Sequence, residues 1–296
     1  MSRPGPGGDD RRDQGAGLSL RGGDRLDGVV IGHGTLLAGR YRLDQPVPSD
    51  LPGVEAWSAQ DQILDRPVRA MVLREGRVAQ AQDAARRAAL VTDPRLLRVL
   101  DVGDHEGMPY TVTELVEGRD LGELTQHGPI PADQARAIIG EAAIALEAAR
   151  RRGVHHLALR PSSVRVTEDG RVVVTGLGID GEVMDRGIGD ARSTTRADTV
   201  GLVALLYLTL TGRWPAPHGG GAGPGQVTAA PLVGGSPVAP AELSPGVPND
   251  LDTLCSVTLG PHDDGPHSPG ELVRELEPWD RVAAAELLRR LDAAGP

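Results

Sequence analysis

The side chains with most chemical potential crowd into one stretch, Gly153–Gly178, which reads GVHHLALRPSSVRVTEDGRVVVTGLG. His155 and His156 are adjacent imidazoles, the side chains best placed to act as general bases near neutral pH. Glu168 and Asp169 add carboxylates, and Asp180 and Asp198 follow. Plainer readings compete with each. Glu168-Asp169-Gly170 is a hairpin turn signal joining two β-branched runs, Val164–Val166 and Val172–Val174. Asp180 is a single loop carboxylate, and one such group holds a cation poorly. His105, His127, His218, His262 and His267 are scattered without the spacing of metal ligands. The lone Cys255 excludes an intramolecular disulfide and a cysteine-rich metal site, and it reads as a small buried hydrophobe in a reducing compartment.

Absences narrow the chemistry further. The chain contains no Lys and no Phe, and Asn249 is its only Asn. Without lysine there is no Schiff base, no Walker-type residue and no ammonium to grip a phosphate. A net charge of −10 argues against a nucleic-acid binder, which needs a concentrated basic face. The 296 residues allow one large domain or two lobes sharing a core. The longest apolar run, Val200–Leu210, falls well short of the ~20 residues that cross a bilayer. No secretory signal is visible, so the expectation is a cytoplasmic protein without a membrane span.

The elements that must position these groups follow from periodicity. Residues 1–33 are Gly, Arg, Asp and Pro without a pattern and read as a disordered arm. Strand-like alternation begins near Leu36 and recurs at Tyr41–Leu43, Val54–Asp61 and Arg66–Arg74, then at Leu96–Val102 and Pro109–Val116. Gln80–Val91 is an Ala/Arg-rich helix, and Pro131–Arg152 is a longer one with a broad apolar stripe. Asp198–Gly212 is apolar on all sides and should be a buried helix. Asp180–Ala197 reads as a loop and 216–248 as a mobile Gly/Pro insertion. Two short helices, Asn249–Leu259 with Asn249 or Asp250 as N-cap and Ser268–Leu276, precede a C-terminal tail or helix over 277–296.

In this order the segments resemble a bacterial serine/threonine protein kinase over residues 36–276. The resemblance implies an α+β fold of two lobes, a small antiparallel β lobe (about 36–116) and a larger helical lobe (about 117–276). Ala38-Gly39-Arg40-Tyr41-Arg42-Leu43 matches the first strand, and Tyr110–Leu121 matches the fifth strand and hinge, with Thr113 as gatekeeper and Glu114–Val116 as hinge. The frame His-Arg-Asp-Leu-Lys-Pro-x-Asn reads His156-Leu157-Ala158-Leu159-Arg160-Pro161-Ser162-Ser163 here, and Asp-Phe-Gly reads Gly176-Leu177-Gly178. The scaffold positions His156, Pro161 and Asp198 are kept. The positions of the phosphate-binding Lys, its Glu partner, the catalytic Asp, the Asn and the metal-binding Asp hold Met71, Ala84 (or Asp83, one residue earlier), Ala158, Ser163 and Gly176. The Gly-rich loop is replaced by Asp44–Gly53, with three prolines and two Asp that would repel phosphate. Arg69 falls where a small residue packs on adenine; it either fills that site or turns to solvent.

The resemblance therefore implies a pseudokinase, with no catalytic or metal residue and no cofactor, whose function is to bind a regulatory protein partner. It is similar to the domain associated with the MurJ/MviN lipid II flippase in cell-wall synthesis. That likeness implies an active Ser/Thr kinase and a forkhead-associated (FHA) protein as partners, and recruitment to the inner face of the membrane. Thr194, Thr195 and Thr228 are the candidate phosphosites, set against the reading of their segments as ordinary loops. The alternatives are a ligand sensor using the hinge-lined cleft and an enzyme with a remodelled nucleotidyl-transfer site, which would still need metal-binding carboxylates.

Overall fold

The structure, a computed structural model, describes residues 31–186, 189–215, 227–262 and 264–294. The predicted arm lies outside these residues except at 31–33, where Ile31 is buried and His33 Nδ1 lies 2.7 Å from the Asp44 carbonyl. The first lobe is one antiparallel sheet of β1 (Leu36–Leu37), β2 (Tyr41–Val47), β3 (Val54–Asp61), β4 (Arg66–Leu73), β5 (Val99–His105) and β6 (Met108–Glu114), ordered β1-β2-β3-β4-β6-β5. β2 alternates buried Tyr41 and Leu43 with exposed Arg42, as a half-solvated strand does, whereas central β4 buries Val68, Ala70, Met71, Val72 and Leu73. Helix α1 (Val78–Ala88) lays Ala81, Ala84, Ala85 and Ala88 against the lobe, the i, i+3, i+4, i+7 pattern of one helix face.

The second lobe opens with β7 (Arg119–Asp120) and α2 (Leu121–Thr125), where Asp120 and Glu123 form a reciprocal capping box. Its core is built on α3 (Ala132–Arg150) and α5 (Ala191–Thr211), which pack together around Ile138, Leu146, Leu202 and Leu205. Between them lie the hairpin β8 (Val164–Val166) and β9 (Val172–Val174) and the short helix α4 (Ile179–Val183). α5 ends at Gly212, whose φ of 68° would strain a side chain. β10 (Leu232–Val233), β11 (Ser236–Pro237), α6 (Pro240–Leu243), α7 (Asn249–Thr258), α8 (Pro269–Leu276) and α9 (Ala284–Ala294) complete the lobe. The C-terminal segment is fastened down: Trp279 packs on α3 at Gly140, where a Cβ would come within 2.8 Å of its ring, and its indole donates to Glu141.

Four differences from the sequence expectations have physical causes. α5 starts two turns early, because Asp190 caps it by accepting from the Ser193 amide at 2.8 Å. Its first turns carry charge yet are partly buried, since Arg196 donates to the Pro266 and Asp264 carbonyls. From 227 to 248 the chain forms β10, β11 and α6, and Tyr207 of α5 donates to the Val238 carbonyl at 2.7 Å; the rest of the predicted insertion, 216–226, is outside the described residues. The cap of α7 is Pro248, while Asp250 pairs with Arg136 on α3.

Candidate functional site

The cleft between the lobes is a cavity of about 720 Å³ lined from both sides. Its floor is the loop between α3 and β8. His156 is fully buried, its Nε2 lying 2.7 Å from the Thr175 carbonyl, so the ring ties the loop to the segment after β9. The Asp198 carboxylate accepts from the amides of His156 (3.0 Å) and Leu157 (2.7 Å) and faces His155 Nδ1 at 3.3 Å. Those bonds hold Leu157 at a φ of 63°, a left-handed conformation costly for a branched side chain. Pro161 opens a short 3-10 turn over 161–163 and is buried; Ser163 is buried too, its Oγ accepting from the Arg160 amide.

Arg160 is the centre of the cleft, and the sequence reading passed over it. It is only 6% exposed, and its guanidinium spans two carboxylates. Nη1 donates to Asp180 at 2.6 Å, and Nε and Nη2 donate to Asp50 at 2.7 and 3.1 Å. Asp50 comes from the Pro-rich loop between β2 and β3, so the pair joins one lobe to the other. Ser162 Oγ donates a further bond to Asp50 at 2.5 Å. Burial opposes the Arg160 charge, but Asp180 and Asp50 more than offset it and hold the guanidinium above its ordinary range. Burial likewise pushes the Asp50 carboxyl up, and the bonds from Arg160 and Ser162 bring it below the usual carboxylate value.

Gly176 explains the placement of Asp180. Its φ is 75°, and a Cβ built there would lie 1.9 Å from Asp180 Oδ2. The Asp180 carboxylate, which is 2% exposed, thus fills the space a side chain at 176 would use. Ala158 is buried and carries no reactive atom; its carbonyl accepts from Arg160 at 3.4 Å. Met71 lines the cleft and packs in an apolar cluster with Ala81, Ala85 and Ile179. The helix residues grouped with Met71 are Ala81 and Ala85, and Ala84 is buried on the same helix face. A Cβ built at Gly178 would meet the Ala84 side chain at 3.5 Å, and Asp83 is exposed and paired with Arg86.

Thr113 is 2% exposed at the back of the cleft, and its hydroxyl has no hydrogen-bond partner among the described residues. Glu114 turns its carboxylate to the Arg98 amide, and Val116 lines the cleft. Arg69 faces the cleft beside Thr113 rather than leaving it, and donates to the Pro48 carbonyl at 3.2 Å. Thr194 lies on α5 at 4% exposure, so it is not the loop hydroxyl the sequence suggests; Thr195 is half-buried and back-bonded to Ala191, and Thr228 is exposed. Among the described residues no three His, Cys, Asp or Glu side chains converge as a metal site.

This architecture is that of a protein kinase. The chain superposes on the Mycobacterium tuberculosis PknI kinase domain with a TM-score of 0.64 and 21% identity, over 84% of this chain and 98% of that one. No protein-family profile matches the chain. By sequence it is similar to bacterial serine/threonine-protein kinases. It is 28% identical over 230 residues to PknH of Mycobacterium tuberculosis, over 70% of this chain and 36% of that protein. With PksC of Streptomyces coelicolor the identity is 30% over 268 residues, over 76% of this chain and 46% of that protein. The chain thus spans less than half the length of these relatives.

Proposed function

We propose that this kinase-like domain performs no phosphoryl transfer and works as a regulatory module that binds a protein partner. The observation that carries this reading is the Asp50–Arg160–Asp180 clamp. Phosphoryl transfer needs phosphates gripped, a metal held and a nucleophile oriented. A metal-bound triphosphate does not fit the residues present. Asp180 and Asp50 already hold an internal cation, Gly176 offers no ligand, and Met71 brings a thioether where a phosphate-binding charge is needed. Incubation with radiolabelled ATP and Mg²⁺ or Mn²⁺ tests this. Labelling of the chain or of a generic acceptor stays at background; incorporation that is lost in Asp180→Asn refutes inactivity.

The partner-binding role draws on the similarity to cell-wall kinase-like domains, in which a phosphothreonine recruits an FHA-domain protein. Thr228, exposed, and Thr195, half-buried, are the hydroxyls in reach of another kinase, whereas Thr194 would have to leave α5 packing first. A phosphate there adds nearly two charges and three acceptor oxygens, enough to create a docking point. Treatment with an active bacterial Ser/Thr kinase and mapping of the sites checks this; an unmodified chain removes the phosphothreonine route. A second reading, a ligand-binding cleft, is favoured by the open cavity of about 720 Å³, within the size range of small-molecule sites.

A further inference from the structure

Three arginines line the cleft, and they are not equally satisfied. Arg160 has two carboxylates in direct contact. Among the described residues Arg69 has none, and its hydrogen bond goes to the neutral Pro48 carbonyl. Arg165 on β8 donates to the Gly118 carbonyl at 2.5 Å, and its nearest carboxylates, Asp120 and Glu123, stand off at 3.7 and 3.9 Å. Its Nε has no partner. Burial works against the Arg69 charge, and repulsion from Arg165 adds to it, so that Arg69 is held below its ordinary range. Asp180 and Asp50 offset part of this from a distance, but both are engaged by Arg160. A partly buried guanidinium lacking a carboxylate is a place where an external anion gains a charge-assisted bond without displacing an internal one. Thr113, buried beside Arg69 with an unpartnered hydroxyl, supplies a neutral donor at the same wall. Met71 and Val99 add apolar surface beside Arg69, and Leu177 adds more from the segment after β9, while Glu114, Asp120 and Glu123 bring carboxylates to the rest of the lining.

We propose that the cleft binds a small organic anion, its carboxylate or phosphate-monoester head between Arg69 and Arg165 and its apolar body against Met71, Val99 and Leu177. The charge preference of the cleft is thereby moved. The end that would meet a triphosphate is closed by the protein's own ion pairs, and the free positive charge stands on the strand β4 wall. This deepens the ligand-binding reading and rests on it.

Matched probe pairs test the proposal by isothermal titration without metal: 2-naphthoate against 2-naphthamide, 1-naphthyl phosphate against 1-naphthol, and octanoate against octanamide. Each pair shares its apolar body and differs in charge. At least one acid binds about tenfold or more tightly than its neutral partner, and Arg69→Met removes that difference while the neutral probe is unaffected. The two aromatic acids separate carboxylate from phosphate as the preferred head. Acids that bind no better than their neutral partners overturn the anion site but leave an apolar ligand cleft standing. An acid preference that survives in both Arg69→Met and Arg165→Met overturns it as well. Absence of binding by every probe overturns both the anion site and the ligand-binding reading. The wild-type comparison needs no variant, so a misfolded mutant does not blunt the test.

Discussion

Replacing Arg160 by Ala should destabilise the protein by an amount set by what it leaves behind. Asp180 would remain as a buried carboxylate without its partner, since its side chain is 3% exposed. Stranding a buried charge in this way costs about 3–5 kcal/mol. Asp50 loses the same partner, but its side chain is 33% exposed and can turn to water, so its share is under about 1 kcal/mol. A loss near 4 kcal/mol is a large part of the roughly 5–15 kcal/mol that holds a domain folded. The pH dependence carries a definite sign. In the wild type the Asp50 carboxyl is lowered, so its contribution is complete above about pH 4 and is lost only below it. The part of the deficit that comes from Asp50 is therefore present in full at pH 7 and fades below about pH 4. Asp180→Asn added to Arg160→Met removes both charges and recovers most of the loss. Urea unfolding followed by tryptophan fluorescence at pH 7 and below about pH 4 measures all of this. A deficit below about 1 kcal/mol at pH 7 refutes the reasoning.

Asp198→Ala removes the acceptor of the His156 and Leu157 amides and lets Leu157 leave its left-handed conformation. A loss of about 3 kcal/mol, or roughly 6–12 °C in melting temperature by calorimetry, is expected. Gly176→Ala sets a methyl group against the Asp180 carboxylate at a positive φ and should cost roughly 2 kcal/mol or more in the same assay. Gly176→Asp should be worse, not a route to metal binding, as a Mg²⁺ titration would register. Cys255 is fully buried, and burial pushes its thiol up, so a disulfide reagent should leave it untouched in the native protein and label it fully in urea.

What the sequence made legible is what local chemistry dictates. The β8–β9 hairpin was readable to the residue, because β-branched triplets flank a Glu-Asp-Gly turn. The buried character of α5 followed from an apolar run with no polar face, though its start did not. Asp190 as a cap and Arg196 as a donor to distant carbonyls are visible only once 264–266 is folded against the helix. The clamp was illegible for a different reason. Asp50 and Arg160 are 110 residues apart, and the two prolines bracketing Asp50 identify a loop without saying where it leans. One signal was available: an Asp in a Pro-rich loop and an Arg in the loop before β8, each without an opposite charge close by in the sequence.

Titration of ATP into the wild-type protein with and without Mg²⁺ tests the central claim most directly. If the clamp already supplies the cation for Asp180 and Asp50, Mg²⁺ does not tighten ATP binding, and no Mg²⁺-dependent Kd below about 1 mM is found. A Mg²⁺-dependent gain of tenfold or more, abolished by Asp180→Asn, would show that the carboxylate is free to hold metal and would contradict the account.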